Sequence, residues 1–137
     1  MNHDPWVTIV HPEIRMGGNG LKATVTLKDN RDFQRLYRRG KSAGAATVVV
    51  YERGNRLERN RLGITTSAKL GKAVVRNRMR RRVREILRLH AHELRQGHDL
   101  VVVVRHQAVT RDYWKMDRDL MYCMRKLKLV LPEEDGR

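Results

Sequence analysis

Lys69-Leu70-Gly71-Lys72-Ala73-Val74-Val75-Arg76-Asn77-Arg78-Met79-Arg80-Arg81-Arg82-Val83-Arg84-Glu85 is the stretch on which the reading of this chain turns. Its spacing predicts a long helix over residues 72–94. At 100° per residue, Val75, Met79, Val83 and Ile86 share an arc of about 80°. Arg76, Asn77, Arg80, Arg81 and Arg84 occupy a separate arc of about 140°. Such a helix has an apolar seam to dock on a sheet and a cationic face beside it. Like charges at i, i+4 destabilise a helix by about 0.2–0.5 kcal/mol per pair. Lys72 and Arg76 also sit near the N-terminus, where the helix dipole disfavours positive charge. Glu85 is the only acid between Lys69 and Glu93, so this is not the mixed Lys/Glu pattern of an ordinary solvated face. Arginine rather than lysine points to phosphate, because its planar fork donates paired hydrogen bonds and stacks on bases.

Outward from that helix, the spacing sets further elements. Upstream, 62–66 and 47–51 read as strands, the second β-branched and aromatic. The polar Glu52-Arg53-Gly54-Asn55 between them suggests an antiparallel hairpin. A short helix fits 30–39, with Asn30 as its N-cap, Gly40 just past its end, and Phe33, Leu36 and Tyr37 on one face. Residues 23–27 are a candidate first strand. Downstream, 99–105 reads as a strand. Its apolar run Val101 to Val104 implies a central position covered on both faces. A last helix over 111–128 carries Tyr113, Leu120, Met124 and Leu127 along one side.

Length and composition agree with a single binding domain. The chain has 137 residues and a net charge of +15, from 30 Lys+Arg against 15 Asp+Glu. Self-repulsion on that scale makes a polyanion the natural partner. Hydrophobic residues, at 40%, still suffice for a modest core, which excludes a merely disordered basic tail. The expected organisation is an N-terminal lead-in over 1–25, mobile around Gly17-Gly18-Asn19-Gly20, then a domain over 26–130 and an acidic tail over 131–137. Met16 is a conceivable alternative start. The lone Cys123 cannot form an internal disulfide, and with Met121 and Met124 it reads as packing. No secretory signal and no run long enough for a membrane helix is apparent, so the cytoplasm is the default location.

The quoted helix, with its Gly-Lys-Ala-Val lead and Arg-Asn-Arg core, resembles the signature of the bacterial ribonuclease P protein subunit. The resemblance extends upstream through Asp32-Phe33-Gln34-Arg35-Leu36-Tyr37-Arg38-Arg39-Gly40 and Arg61-Leu62-Gly63-Ile64-Thr65-Thr66-Ser67. Downstream it takes in Gly97-His98-Asp99 and Val101 to Arg105, and it covers about residues 27–128. It implies an α/β fold of the α+β sandwich kind, a single domain with a central mixed sheet packed by about three helices and a left-handed βαβ crossover. It also implies a role: assisting removal of the 5′ leader from precursor tRNA, with catalysis in an RNA subunit that uses Mg²⁺. The implied partners are that RNA subunit and precursor tRNA, with no membrane and no DNA. Carried over residue by residue, RNA-subunit binding falls on Lys69, Lys72, Arg76, Asn77, Arg78, Arg80, Arg81 and Arg84. Leader binding falls on a cleft of Phe33, Tyr37, Val49 and Tyr51. Arg80 stands where relatives often have lysine, and Ala68 replaces one of two adjacent lysines.

The cleft residues also make sense unaided. Val49 and Tyr51 point to one side of a strand, and Phe33 and Tyr37 to one side of a helix. With Arg35, Arg38 and Lys41 nearby they would suit single-stranded RNA, where each stacked base contributes about 1–3 kcal/mol. Core packing is the competing reading of all four.

No catalytic residue is expected in the protein. Phosphodiester hydrolysis by side chains needs carboxylates clustered around Mg²⁺ or a histidine acid–base pair, and the acids here are scattered. His90, His92 and His98 match no standard metal spacing. Trp6 and Trp114 have no readable role. The alternative function is a general RNA-binding structural protein of ribosomal or nucleoid type, which would bind precursor and mature tRNA equally. A membrane-surface or calmodulin-type helix is disfavoured, because Arg78 and Arg82 interrupt its apolar band.

Overall fold

The structure, a computed structural model, describes residues 7–8, 25–27 and 29–132. Strand β6 (His98–Val104) organises it. The apolar run predicts a strand covered on both sides, and Val101 and Val102 are both fully buried. Its neighbours are β4 (Val48–Gly54), antiparallel, and β5 (Arg61–Thr66), parallel. Strand β3 (Lys41–Gly44) extends the sheet beyond β4. On the other side, β1 (Val7–Thr8) and β2 (Val25–Thr26) both pair with β5, the first antiparallel and the second parallel. The sheet is therefore mixed, in the order β1-β5-β6-β4-β3, with β2 also on β5.

The expected hairpin between 47–51 and 62–66 is not formed. β6 lies between these two strands, because a segment apolar on both faces gains most from the middle of the sheet. The intervening loop instead crosses the start of β6 and is pinned there. Asn55 donates to Asp99 Oδ1 (2.8 Å), and buried Asn60 accepts from the His98 amide (2.9 Å) and donates to the Arg95 carbonyl (3.0 Å). Strand β3 was not predicted at all, since Lys41-Ser42-Ala43-Gly44 has neither alternation nor β-branched residues. As an edge strand it has a ladder to β4 alone, and Ala43 buries its side chain in the core that α3 covers.

The helices cover the two faces unequally. Helix α2 (Ala73–Leu89) and α3 (Tyr113–Lys126) pack one face. There Val48, Val50, Leu62, Ile64, Leu100, Val102 and Val104 meet Met79, Val83, Ile86, Met116, Leu120 and Cys123. Helix α1 (Asn30–Arg39) lies on the opposite face, over a smaller core of Leu27, Phe33, Leu36 and Val101. Its cap is Asp29, which accepts from the Arg31 amide (3.1 Å), and not Asn30. Helix α2 is shorter than its pattern predicts. It starts after Lys72, its N-cap, and ends at Leu89, followed by a 3₁₀ turn at Ala91–Glu93. The expected seam holds, with Leu87 added and Val75 only half-buried. Helix α3 buries Met116 and Cys123 as well as Leu120 and Met124, and burial pushes the Cys123 thiol up to about 11, helped by the charge of Asp119. Asp119 ties α3 to the sheet by accepting from the amide (3.1 Å) and hydroxyl (2.7 Å) of Thr47.

The mobile lead-in around residues 17–20, the alternative start at Met16 and the acidic residues 133–135 lie outside the described residues. Of the expected lead-in, Val7, Thr8 and Val25 are described, and they pair with Thr65, Ile64 and Arg61. No helix among the described residues is long and apolar enough to cross a membrane.

Candidate nucleic-acid interface

Two surfaces carry the candidate residues, one on each side of the sheet. The first is the cationic side of α2. It is anchored at its start by Gly71, whose φ of 138° lies in a region that favours glycine. Arg76 folds back to donate to the Gly71 carbonyl (2.8 Å). Arg80 donates to Thr66 Oγ1 at the end of β5 (2.7 Å) and to Asn77 Oδ1, and Arg84 Nε donates to the Arg80 carbonyl (3.4 Å). Each guanidinium has five N–H groups, so these anchors hold the forks in place while leaving donors for a ligand. Burial, and then the charges of Arg76 and Arg84, lower the Arg80 pKa from its ordinary value. An approaching phosphate would relieve that crowding.

The remaining candidates are arranged around this anchored row. Lys69, Lys72, Asn77, Arg78 and Arg81 are exposed. Arg78 lies about 60° beyond Arg81 around α2, near enough to Arg82 for its charge to add to burial in lowering the Arg82 pKa. Arg82 is turned the other way: it donates to the Arg111 carbonyl at the foot of α3 (2.9 Å), so it serves packing.

The second surface is the α1 side of the sheet. Tyr37 and Tyr51 meet edge to face with ring centroids 5.0 Å apart, and the Tyr37 hydroxyl is 3.1 Å from Thr65 Oγ1. Val49 is half-buried beside them, and pairing in register puts Val103 next to it on the same face. Phe33 is the correction. Its side chain is 0% exposed, lies in the core under α1, and sits directly on Gly63. A Cβ at position 63 would collide with the ring. Phe33 therefore supports the cleft from beneath and offers no face for a base. The helix pattern could not distinguish it from Tyr37, because both project toward the sheet. Only the glycine opposite decides which one sinks.

Arg35 and Arg38 stand on the outer side of α1, turned from the sheet, with Arg31 and Arg39 completing a shallow open groove. Arg31 and Arg39 were missed, although positions 31, 35, 38 and 39 share one face by helical spacing. Ion pairs tie the start of α1 to the sheet. Arg61 donates to both oxygens of Asp99 (2.8 and 2.6 Å) and lies 3.6 Å from Asp32 on α1. The hydrogen bond to Asp99 outweighs burial and raises the Arg61 pKa.

The histidines do not converge. His90 lies between Glu93 (2.8 Å) and Asp117 (3.0 Å), His98 pairs with Glu52 (2.8 Å), and His92 is exposed. The other carboxylates are likewise engaged: Asp32 and Asp99 with Arg61, Asp119 with Lys115, and Glu85 with Arg88. No group of three His, Cys, Asp or Glu among the described residues could hold a metal ion.

The family described as ribonuclease P matches residues 21–128. A ribonuclease P protein component from Alkaliphilus metalliredigens is 36% identical over 104 residues, 76% of this chain and 94% of the relative. Among solved structures, the RNase P protein of Staphylococcus aureus matches with a TM-score of 0.70 at 34% identity, covering 75% of this chain and 94% of that one. The RNase P protein of Thermotoga maritima matches with a TM-score of 0.65 at 35% identity, covering 70% and 91%.

Proposed function

The chain belongs to the ribonuclease P protein family, and from that premise we propose that its two basic surfaces divide the work, α2 holding the RNA subunit and the α1 cleft holding the leader. As the protein component of the ribonuclease P ribonucleoprotein it acts with an RNA subunit on precursor tRNA, and the RNA performs the chemistry.

The observation that carries the reading is the anchored arginine row. Arg76, Arg80 and Arg84 are tied to Gly71, Thr66 and the helix backbone. The guanidinium groups are thus presented in one geometry before RNA arrives, which lowers the ordering cost of binding. Lys69, Lys72, Asn77, Arg78 and Arg81 extend the same contact to neighbouring phosphates. On the other face, Tyr37, Val49 and Tyr51 offer an aromatic and apolar floor suited to unstacked leader bases. Mg²⁺ belongs with the RNA subunit in this division. The protein's carboxylates fit it poorly, since those of the sheet and helices are engaged by Arg, Lys and His.

Arg81→Ala is a clean test of the α2 assignment, because Arg81 is exposed and its loss should spare the fold. Affinity for the RNA subunit should fall, and the slope of log affinity against log salt should flatten by about 0.7–0.9 for the lost phosphate contact. Unchanged affinity and slope would remove α2 from the RNA-subunit contact. For the cleft, Tyr51→Ala should cut the preference for precursor over mature tRNA about tenfold, the weight of one stacked base. Equal preference in the parent protein would favour the general RNA-binding alternative.

A further inference from the structure

A third surface is left over, on the solvent side of α3. Trp114, Arg118 and Tyr122 recur every four residues, and Arg125 and Lys126 fall on the same side, all within an arc of about 120°. Trp114 is 61% exposed and Tyr122 46%. Large aromatics are ordinarily drawn into a core, so two on one open stripe call for a ligand.

Each ring is held in place. Tyr113 meets Trp114 edge to face at 4.9 Å, and Lys126 Nζ lies 5.8 Å from the Tyr122 ring centroid. The stripe also contains no carboxylate. Asp112 caps the helix by accepting from the Lys115 amide, Asp117 is bonded to His90, and Asp119 is bonded to Thr47. Two stacking platforms, about 12 Å apart along the axis, are thus flanked by cations with no opposing charge.

This stripe belongs to neither surface already described. α3 lies on the sheet face opposite to α1 and the cleft. On α2, the arginine that reaches α3 is Arg82, whereas Arg80 reaches β5 from the other side of that helix. The polyanion available to a ribonuclease P protein is RNA, and alternating rings and cations match a single strand better than a duplex, whose bases are not free to stack on protein.

We propose that the α3 face, through Trp114, Arg118 and Tyr122, is a further binding site for single-stranded RNA, distinct from the leader cleft and from the α2 arginine row. It stands whether or not those two assignments hold. The exposed rings serve as stacking platforms, and Arg118, Arg125 and Lys126 take the phosphates between and beside them.

Trp114 provides its own reporter. The chain has two tryptophans, so Trp6→Phe leaves Trp114 as the only one. The full-length Trp6→Phe protein is titrated with a short oligouridylate, following Trp114 fluorescence and, in parallel, the anisotropy of the same oligonucleotide carrying a label. Saturable quenching is expected. Adding Arg118→Ala and Tyr122→Ala should shift half-saturation of the quench upward by about tenfold or more without lowering the melting temperature, since both side chains are exposed. Arg81→Ala should leave the quench curve in place even if anisotropy shows weaker total binding. Binding seen by anisotropy without quenching would overturn the proposal, as would quenching indifferent to Arg118 and Tyr122. A fluorescence change that follows protein concentration without RNA would assign the stripe to contact between copies of the chain, which also overturns it.

Discussion

His90 shows how one residue can link two helices through charge. Its ring joins the end of α2 to Asp117 on α3 and to Glu93 in the turn between. Burial works against the charged ring, but the hydrogen bonds it donates to Glu93 and Asp117, with their charges, prevail and raise its pKa above the ordinary 6.5. A group whose pKa is raised on folding stabilises fully below its unfolded value, and that stabilisation is lost as pH climbs through the folded value. The melting temperature lost in His90→Gln should therefore be larger at mildly acid pH than at alkaline pH. Thermal melts of both proteins across that range check it, and a loss that grows with pH would contradict the sign. The sequence showed His90 only as one of three scattered histidines, because Asp117 is 27 residues away and meets it only when the helices pack.

Among elements, α1 and β5 meet where Phe33 rests on Gly63. The close approach of that helix to the sheet is what leaves Tyr37 beside Tyr51 and Thr65. Gly63→Ala should overpack this contact and destabilise the protein by about 1–3 kcal/mol, with a matching loss of preference for leader-bearing tRNA. Adding Phe33→Leu should restore part of the stability by vacating the space, which a denaturant melt of the single and double variants would reveal. If the double variant were the sum of two losses, the ring and the glycine would not be coupled. Helical and strand periodicity made α1, α2, β6 and most of α3 legible. Capping at Asp29 and the early end of α2 were not, since both depend on local backbone geometry that residue spacing does not encode.

For the whole molecule, the net charge of +15 is spread over α1, α2 and α3, with exposed arginines on all three. Screening should therefore stabilise the RNA-free protein, and its melting temperature should rise as salt is added from low ionic strength. Bound to the RNA subunit it should show the reverse, because added salt weakens the complex. Calorimetry of both forms over one salt series separates the two trends, and a free protein that melts earlier with salt would place ion pairs above self-repulsion. Composition and periodicity alone were enough to determine a basic domain of mixed helices and strands, its arginine helix and a two-faced central strand, because these depend on neighbours within a few residues. The order of the strands, the burial of Phe33 and the separation of three basic surfaces were decided only by the tertiary structure. Each depends on residues tens of positions apart competing for the same space, and that competition is resolved by packing rather than by spacing along the chain.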